Sequence, residues 1–187
     1  MTNTSYIDLY LRETEEIIKS IDRESIGSFI ECIDSLKERK GRLFICGVGG
    51  SSANASHAVN DFRKILGIES YAPSDNVSEL TARVNDESWE DSYVNWLKIS
   101  NVRAKDCVMV FSVGGGSEYT SKNLVKCMDY AKEKGATVVS IVSRDGGYAK
   151  KVSDACILVP IISDDRITPH AEGWQGILWH LVVSCIK

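Results

Sequence analysis

Two apolar runs, Leu43-Phe44-Ile45-Cys46 and Cys107-Val108-Met109-Val110-Phe111, each lead straight into a glycine-rich turn and then a helical stretch. The turns read Gly47-Val48-Gly49-Gly50-Ser51-Ser52 and Ser112-Val113-Gly114-Gly115-Gly116-Ser117. A run without polar alternation fits a strand buried on both faces, and such strands belong to parallel sheets covered by helices. Glycine permits positive φ and lets a backbone approach an anion closely. The helix that follows presents unpaired N–H groups and the positive end of its dipole. One such turn reads equally well as a tight strand-to-helix connection. Two in one small chain favour anion binding, with the first turn at a ligand's polar groups and the second at its phosphate. No Gly-Lys-Ser/Thr follows either turn, which argues against a nucleoside-triphosphate loop and leaves no nucleotide cofactor to expect.

The rest of the chain completes an α/β pattern. Leu9, Ile17, Ile18, Ile21, Phe29, Ile33 and Leu36 recur at helical spacing and predict helix over residues 6–40, with Gly27 weakening the middle and a break near 22–28. This segment either covers the sheet or packs in a homo-oligomer. Further helices are expected at 52–66, 77–84, 89–100, 118–134, 148–152 and 169–186, and further strands at 70–72, 137–142 and 155–159. Gly135 stops the helix before it, and Pro169 sits near a helix start, where a missing N–H costs least. Strands alternating with helices imply a parallel sheet with helices on both faces. Ligands of such sheets bind at the carboxyl ends of strands, where both glycine turns lie.

The 187 residues suit one domain, read as a helical segment 1–40 and an α/β core 41–187, large enough to bury a core without disulfides or metal. A net charge of −4 argues against nonspecific nucleic-acid binding, so any anion must be held locally by backbone N–H groups, helix ends or a metal. Cys32, Cys46, Cys107, Cys127, Cys156 and Cys185 form no CxxC pair and read as small apolar side chains in a reducing compartment. The first ten residues lack the basic and apolar regions of a signal peptide. No apolar run approaches the ~18 residues that cross a membrane. The expected location is the cytoplasm, with no membrane or nucleic-acid partner.

Histidines and carboxylates supply candidate chemistry. His57 and Asp61 are four residues apart on the helix after the first turn and so share a face, with Asn54 one turn earlier. They read as a functional pair or as a surface or capping cluster. The final helix carries Glu172 and His180, eight residues apart, which puts them within about a quarter-turn of each other. His180 is set among Trp179, Leu181 and Val182, and spacing alone favours a satisfied histidine in or near the core. His170 sits at the N-terminal end of the same helix.

These residues together give the chain its likeness. It resembles the SIS (sugar isomerase) domain family, and within it the phosphoheptose isomerases, over nearly its whole length. In that group the first turn usually reads Gly-Asn-Gly-Gly-Ser, matched here except at Val48, and a His…Glu pair spaced by four follows, here His57 and Asp61. The family's Thr-Ala-x-x-Asn-Asp is present as Thr81-Ala82-Arg83-Val84-Asn85-Asp86. Its phosphate loop Ser-Thr-Ser-Gly-Asn-Ser corresponds to the second glycine turn, and its basic-Asp-Gly-Gly turn to Arg144-Asp145-Gly146-Gly147. A Gln…His pair spaced by eight becomes Glu172 and His180.

The resemblance implies a three-layer sandwich with a five-stranded parallel sheet, in a homotetramer whose sites are shared between subunits. It implies cytosolic isomerisation of sedoheptulose 7-phosphate to D-glycero-D-manno-heptose 7-phosphate for surface polysaccharide. Asp61 then stands as base at carbon and His180 as proton shuttle at oxygen. Ser112, Ser117 and the backbone at Ser51 and Ser52 hold phosphate, Asn85 and Asp86 contact sugar hydroxyls, and Gly49, Gly50, Gly114 and Glu172 complete the binding set. Some members bind zinc at the positions of His57, Asp61, Glu172 and His180, and two imidazoles with two carboxylates suit zinc or another divalent metal. There are departures. Val113, Gly114 and Gly116 replace two hydroxyls and an amide, Asp61 is one methylene shorter than glutamate, and Glu172 replaces glutamine. They leave open an isomerase of another phosphosugar or a non-catalytic sugar-phosphate regulator. Regulators of that kind usually carry an extra domain, and retention of Asp61 and His180 favours an enzyme.

Overall fold

The computed structural model describes residues 2–187. The strands are β1 (Leu43–Gly47), β2 (Ser70–Tyr71), β3 (Cys107–Phe111), β4 (Thr137–Val142) and β5 (Ala155–Leu158). They form one parallel sheet in the order β2-β1-β3-β4-β5. Successive side chains leave opposite faces of a strand, so alternation sorts the core into two halves. Leu43, Ile45, Cys107, Met109 and Phe111 pack toward α1 (Asn3–Ser20), α2 (Arg23–Glu38), α3 (Gly50–Lys64) and α8 (Ile167–Ile186). Phe44, Cys46, Val108 and Val110 pack toward α4 (Val77–Asp86), α5 (Trp89–Ile99), α6 (Lys122–Glu133) and α7 (Gly147–Val152). The expected three-layer sandwich is present. All six cysteines are free, and among the described residues no helix is long and apolar enough to cross a membrane.

The N-terminal segment is two helices. Asp22 separates them and caps α2 by accepting from the backbone N–H of Glu24. Gly27 lies within α2 without ending it. α2 covers the sheet through the buried Phe29, Ile33 and Leu36, whereas α1 buries only Glu13 and Ile17. Ile7, Leu11 and Ile18 of α1 are about half exposed.

Five helix starts differ from expectation, those of α1, α3, α6, α7 and α8, and two of them have a visible cause. α6 begins at Lys122 rather than 118. Ser117 Oγ accepts from the N–H groups of Tyr119 and Thr120, at 3.2 and 3.0 Å, and this local bonding holds 117–121 as a loop in place of a helical turn. α8 begins earlier, at Ile167, after the 3-10 turn Asp164–Arg166. Its start is tied to α1 by a buried carboxylate. Arg166 Nε and Nη2 donate to Glu13 at 2.8 and 2.7 Å, and His170 Nε2 lies 2.8 Å from Glu13 Oε2. The Arg166 hydrogen bonds outweigh burial and hold the Glu13 carboxyl down at about 2.

Candidate active site

The strand order reverses between β1 and β3, and open α/β sheets bind ligands at that crevice, beyond the strand carboxyl ends. Both glycine turns emerge there. Between them lies a cleft of about 490 Å³. The first turn contributes Val48 and Ser51, and the second Ser112, Val113, Gly114, Gly116 and Ser117. Thr120 and Ser121 enter from the loop before α6, Arg144 from the turn after β4, and Thr168 from the start of α8.

Helix capping sets this end of the molecule apart. Side chains of Thr2, Asp22, Asn76 and Ser88 cap α1, α2, α4 and α5. α3, α6 and α8, which start at the cleft, have no side-chain cap. The N–H groups of their first two residues have no capping side chain, and their dipoles make the cleft attractive to an anion.

Buried hydrogen bonds fix the walls. Gln175 Nε2 donates to Ser51 Oγ at 3.0 Å. Asn54 Nδ2 donates to Gln175 Oε1 and to the Glu172 carbonyl, at 2.8 and 2.9 Å, which couples α3 to α8. The Tyr93 hydroxyl donates to the Gly47 carbonyl at 2.9 Å, and burial pushes its phenol up, so it stays a donor. In the second turn Ser112 Oγ accepts from the Gly115 N–H at 3.1 Å, which leaves the hydroxyl proton of Ser112 free to donate.

The second turn also interlocks with the Arg144 turn. The N–H groups of Ser143, Tyr148 and Ala149 donate to the carbonyls of Val113, Gly116 and Gly115. The backbones are so close that a methyl at Gly115 would fall 2.0 Å from the Gly146 oxygen, and one at Gly147 would fall 2.2 Å from the Gly114 oxygen. Only glycine fits at these two positions.

A second constellation lies further along α3 and α8. Asp61 Oδ2 is 3.7 Å from His57 Nε2 and 3.3 Å from His180 Nε2, and it accepts from Trp179 Nε1 at 3.2 Å. Asp61 Oδ1 accepts from Asn60 Nδ2 at 3.0 Å. Asp61 is buried, while the two histidines stay half exposed. His180 Nδ1 lies 2.6 Å from the Gly176 carbonyl, an acceptor, so Nδ1 carries a proton and Nε2 is the ring nitrogen turned toward Asp61. One donor atom from each of His57, Asp61 and His180 falls within 4.8 Å of the others. Ligands at ~2.0–2.1 Å around a tetrahedral ion lie ~3.3 Å apart, so the observed spacing fits a three-ligand site with a position left open. The carbonyl-oriented imidazole is the usual outer support of such a site.

The structure therefore brings together Ser51, Ser112, Gly114 and Ser117 in the cleft, and His57, Asp61 and His180 in the cluster. Glu172 joins neither set. Its carboxylate rests on the first turn, where a methyl at Gly50 would lie 2.4 Å from Oε2. Eight helical residues separate it from His180 by ~12 Å of rise, which is the distance that the quarter-turn argument left out. Gly49, Gly50 and Ser52 shape the first turn beside the cleft. Asn85 and Asp86 end α4 as an exposed pair, with Asn85 Nδ2 donating to Asp86 Oδ1 at 2.7 Å, and neither lines the cleft of its own chain. Sequence reasoning missed Thr120, Ser121 and Thr168 as cleft residues and Trp179 as the donor to Asp61.

The SIS domain family profile matches residues 6–143. Among known proteins, the chain is 31% identical to the phosphoheptose isomerase of Sulfurimonas denitrificans, over 97% of this chain and 94% of that one. It is 29% identical to that of Helicobacter pylori (strain Shi470), over 95% and 92%. Among solved structures, the phosphoheptose isomerase of Neisseria gonorrhoeae aligns at a TM-score of 0.84 and 24% identity, covering 98% of this chain and 95% of that one, a likeness of fold.

Proposed function

Because the chain belongs to the SIS domain family, and within it to the phosphoheptose isomerases, we propose that it interconverts sedoheptulose 7-phosphate and D-glycero-D-manno-heptose 7-phosphate. The observation that carries this reading is the coexistence of an anion cleft at the β1/β3 crevice with a His57–Asp61–His180 cluster. The substrate has the same two ends, a phosphate at carbon 7 and the reacting carbons 1 and 2.

Isomerisation from the ketose removes a proton from carbon 1 while the oxygen on carbon 2 gains one. The enediol then gives up the proton on the carbon 1 oxygen and accepts one at carbon 2. Asp61 takes the role at carbon. His180, with Nδ1 fixed on the Gly176 carbonyl, serves the oxygens through Nε2. Ser112, Ser117 and the Ser51–Ser52 backbone hold the phosphate, and Asn85 and Asp86 meet sugar hydroxyls. The donor set of His57, Asp61 and His180 would hold zinc or another divalent metal, which supplies polarisation of the carbonyl. A ligating carboxylate is not free to act as base, so Asp61 has one role or the other.

We place the 187 residues as one functional unit in a cytoplasmic homotetramer with sites shared between subunits. Two observations support the assembly. Cleft and cluster are separate residue sets in one chain, and Ile18, Ile177 and Leu181 line an open apolar groove where α1 and α2 meet α8.

Incubation with sedoheptulose 7-phosphate, following loss of ketose, tests the reaction. Turnover that Asp61→Asn removes supports it. Tight binding of the same compound without turnover supports the regulator instead.

A further inference from the structure

We propose that Arg144 is the charged anchor of the ligand phosphate, an inference that rests on the sugar-phosphate reading of the cleft. Among the described residues it is the one ionisable side chain lining that cleft, where all other contributions are hydroxyl, backbone or apolar. Arg42, Arg83 and Arg166 are engaged by Asp106, Glu79 and Glu13. Arg144 has no such carboxylate among the described residues. Its side chain runs beside the second glycine turn, since a methyl at Gly114 would lie 3.7 Å from Arg144 Cδ. A larger side chain at 114 would compete with Arg144 for the space beside the turn.

The backbone supports the same assignment. Arg144 adopts φ 53°, a left-handed conformation that glycine would take without strain. Folding stability alone does not account for arginine here. Strain of this kind persists where the surrounding structure enforces it. The enforcement is visible in the three backbone hydrogen bonds that lock residues 143–149 onto the second turn. They fix the guanidinium's origin relative to Ser112 and Ser117. A planar guanidinium can then bond two phosphate oxygens at once, compensating for a turn that offers few hydroxyls of its own.

The test compares wild type with Arg144→Gly, Arg144→Lys and Arg144→Gln. Inorganic phosphate binding is measured by calorimetry, KM and kcat with sedoheptulose 7-phosphate, and Tm by thermal unfolding. Arg144→Gly relieves the left-handed strain, so its Tm should equal or exceed that of wild type. Its phosphate affinity should nonetheless fall about 10- to 100-fold, the weight of one hydrogen-bonded charge, with the kinetic loss falling on KM more than on kcat. Lysine should restore part of that loss and glutamine little. Phosphate binding and KM within about twofold of wild type in Arg144→Gly would overturn the assignment, as would a wild-type protein that does not bind phosphate. The phosphate measurement needs no turnover. Arg144-dependent binding without isomerisation would uphold the anchor while removing the proposed reaction, and isomerisation indifferent to Arg144 would do the reverse.

Discussion

The indole N–H of Trp179 donates to Asp61 Oδ2, the same oxygen that faces Nε2 of both His57 and His180. Trp179 is itself stacked on Phe111 at the end of β3, with ring centroids 5.8 Å apart. The sheet therefore holds the indole, and the indole holds the carboxylate at the distance the cluster needs.

Trp179→Phe keeps the stacking surface and removes the donor. We expect a stability loss of about 1–3 kcal/mol, because a buried acceptor loses its partner. We also expect kcat to fall by roughly an order of magnitude as Asp61 becomes free to rotate. Denaturant unfolding and steady-state kinetics on the same preparation check both.

His57→Ala should lower bound divalent metal, measured by elemental analysis after loading with zinc, because it removes one of three donors. Glu172→Gln should leave metal content close to wild type, since Glu172 lies on the first turn rather than in the cluster. Equal loss in both variants would put Glu172 back among the ligands.

How much of this could be read from the chain is clearest in α3 and α8. Helical spacing alone put His57 and Asp61 on one face, and they do meet. The same reasoning joined Glu172 to His180 by angle and ignored the rise between them. The apolar neighbours of His180 suggested a core histidine, yet its ring is half exposed, because α8 buries Trp179 and Val182 and turns His180 toward α3. Both strong strands were legible because each apolar run is too short for a helix and is soon followed by glycine. The 118–121 loop was not, because the Ser117 hydroxyl competes for backbone N–H groups in a way that helical propensity does not register. Nor does local sequence reveal that the second glycine turn docks on the turn bearing Arg144, which is a contact between separate strand ends.

Glu13 gives a pH dependence. Its folded-state carboxyl is held at about 2 against an ordinary value of 4.5, by Arg166 first and His170 after it. The stabilisation is complete above the ordinary value and is lost as pH falls from there toward 2. Glu13→Gln should therefore be less stable than wild type at pH 7, and the gap should close as pH drops through that window. Chemical unfolding at pH 7, 4 and 2.5 would show it. A gap that widens in acid would refute this role.

Gly115→Ala places a methyl 2.0 Å from the Gly146 oxygen at a residue with φ 71°. The left-handed conformation alone costs about 1–2 kcal/mol, and the backbone clash adds to it. Thermal unfolding should show a lower Tm. Weaker phosphate binding should accompany it, because the docked turn is what positions Arg144.

The central claim is an enediol isomerisation at the sugar end of a phosphorylated ketose. Proton NMR of sedoheptulose 7-phosphate incubated with the protein in deuterated water tests it most directly. The account predicts an aldose 7-phosphate carrying deuterium at carbon 2, formed by wild type and not by Asp61→Asn. No aldose from a folded protein that binds the sugar phosphate, or aldose formed equally fast by Asp61→Asn, would contradict it.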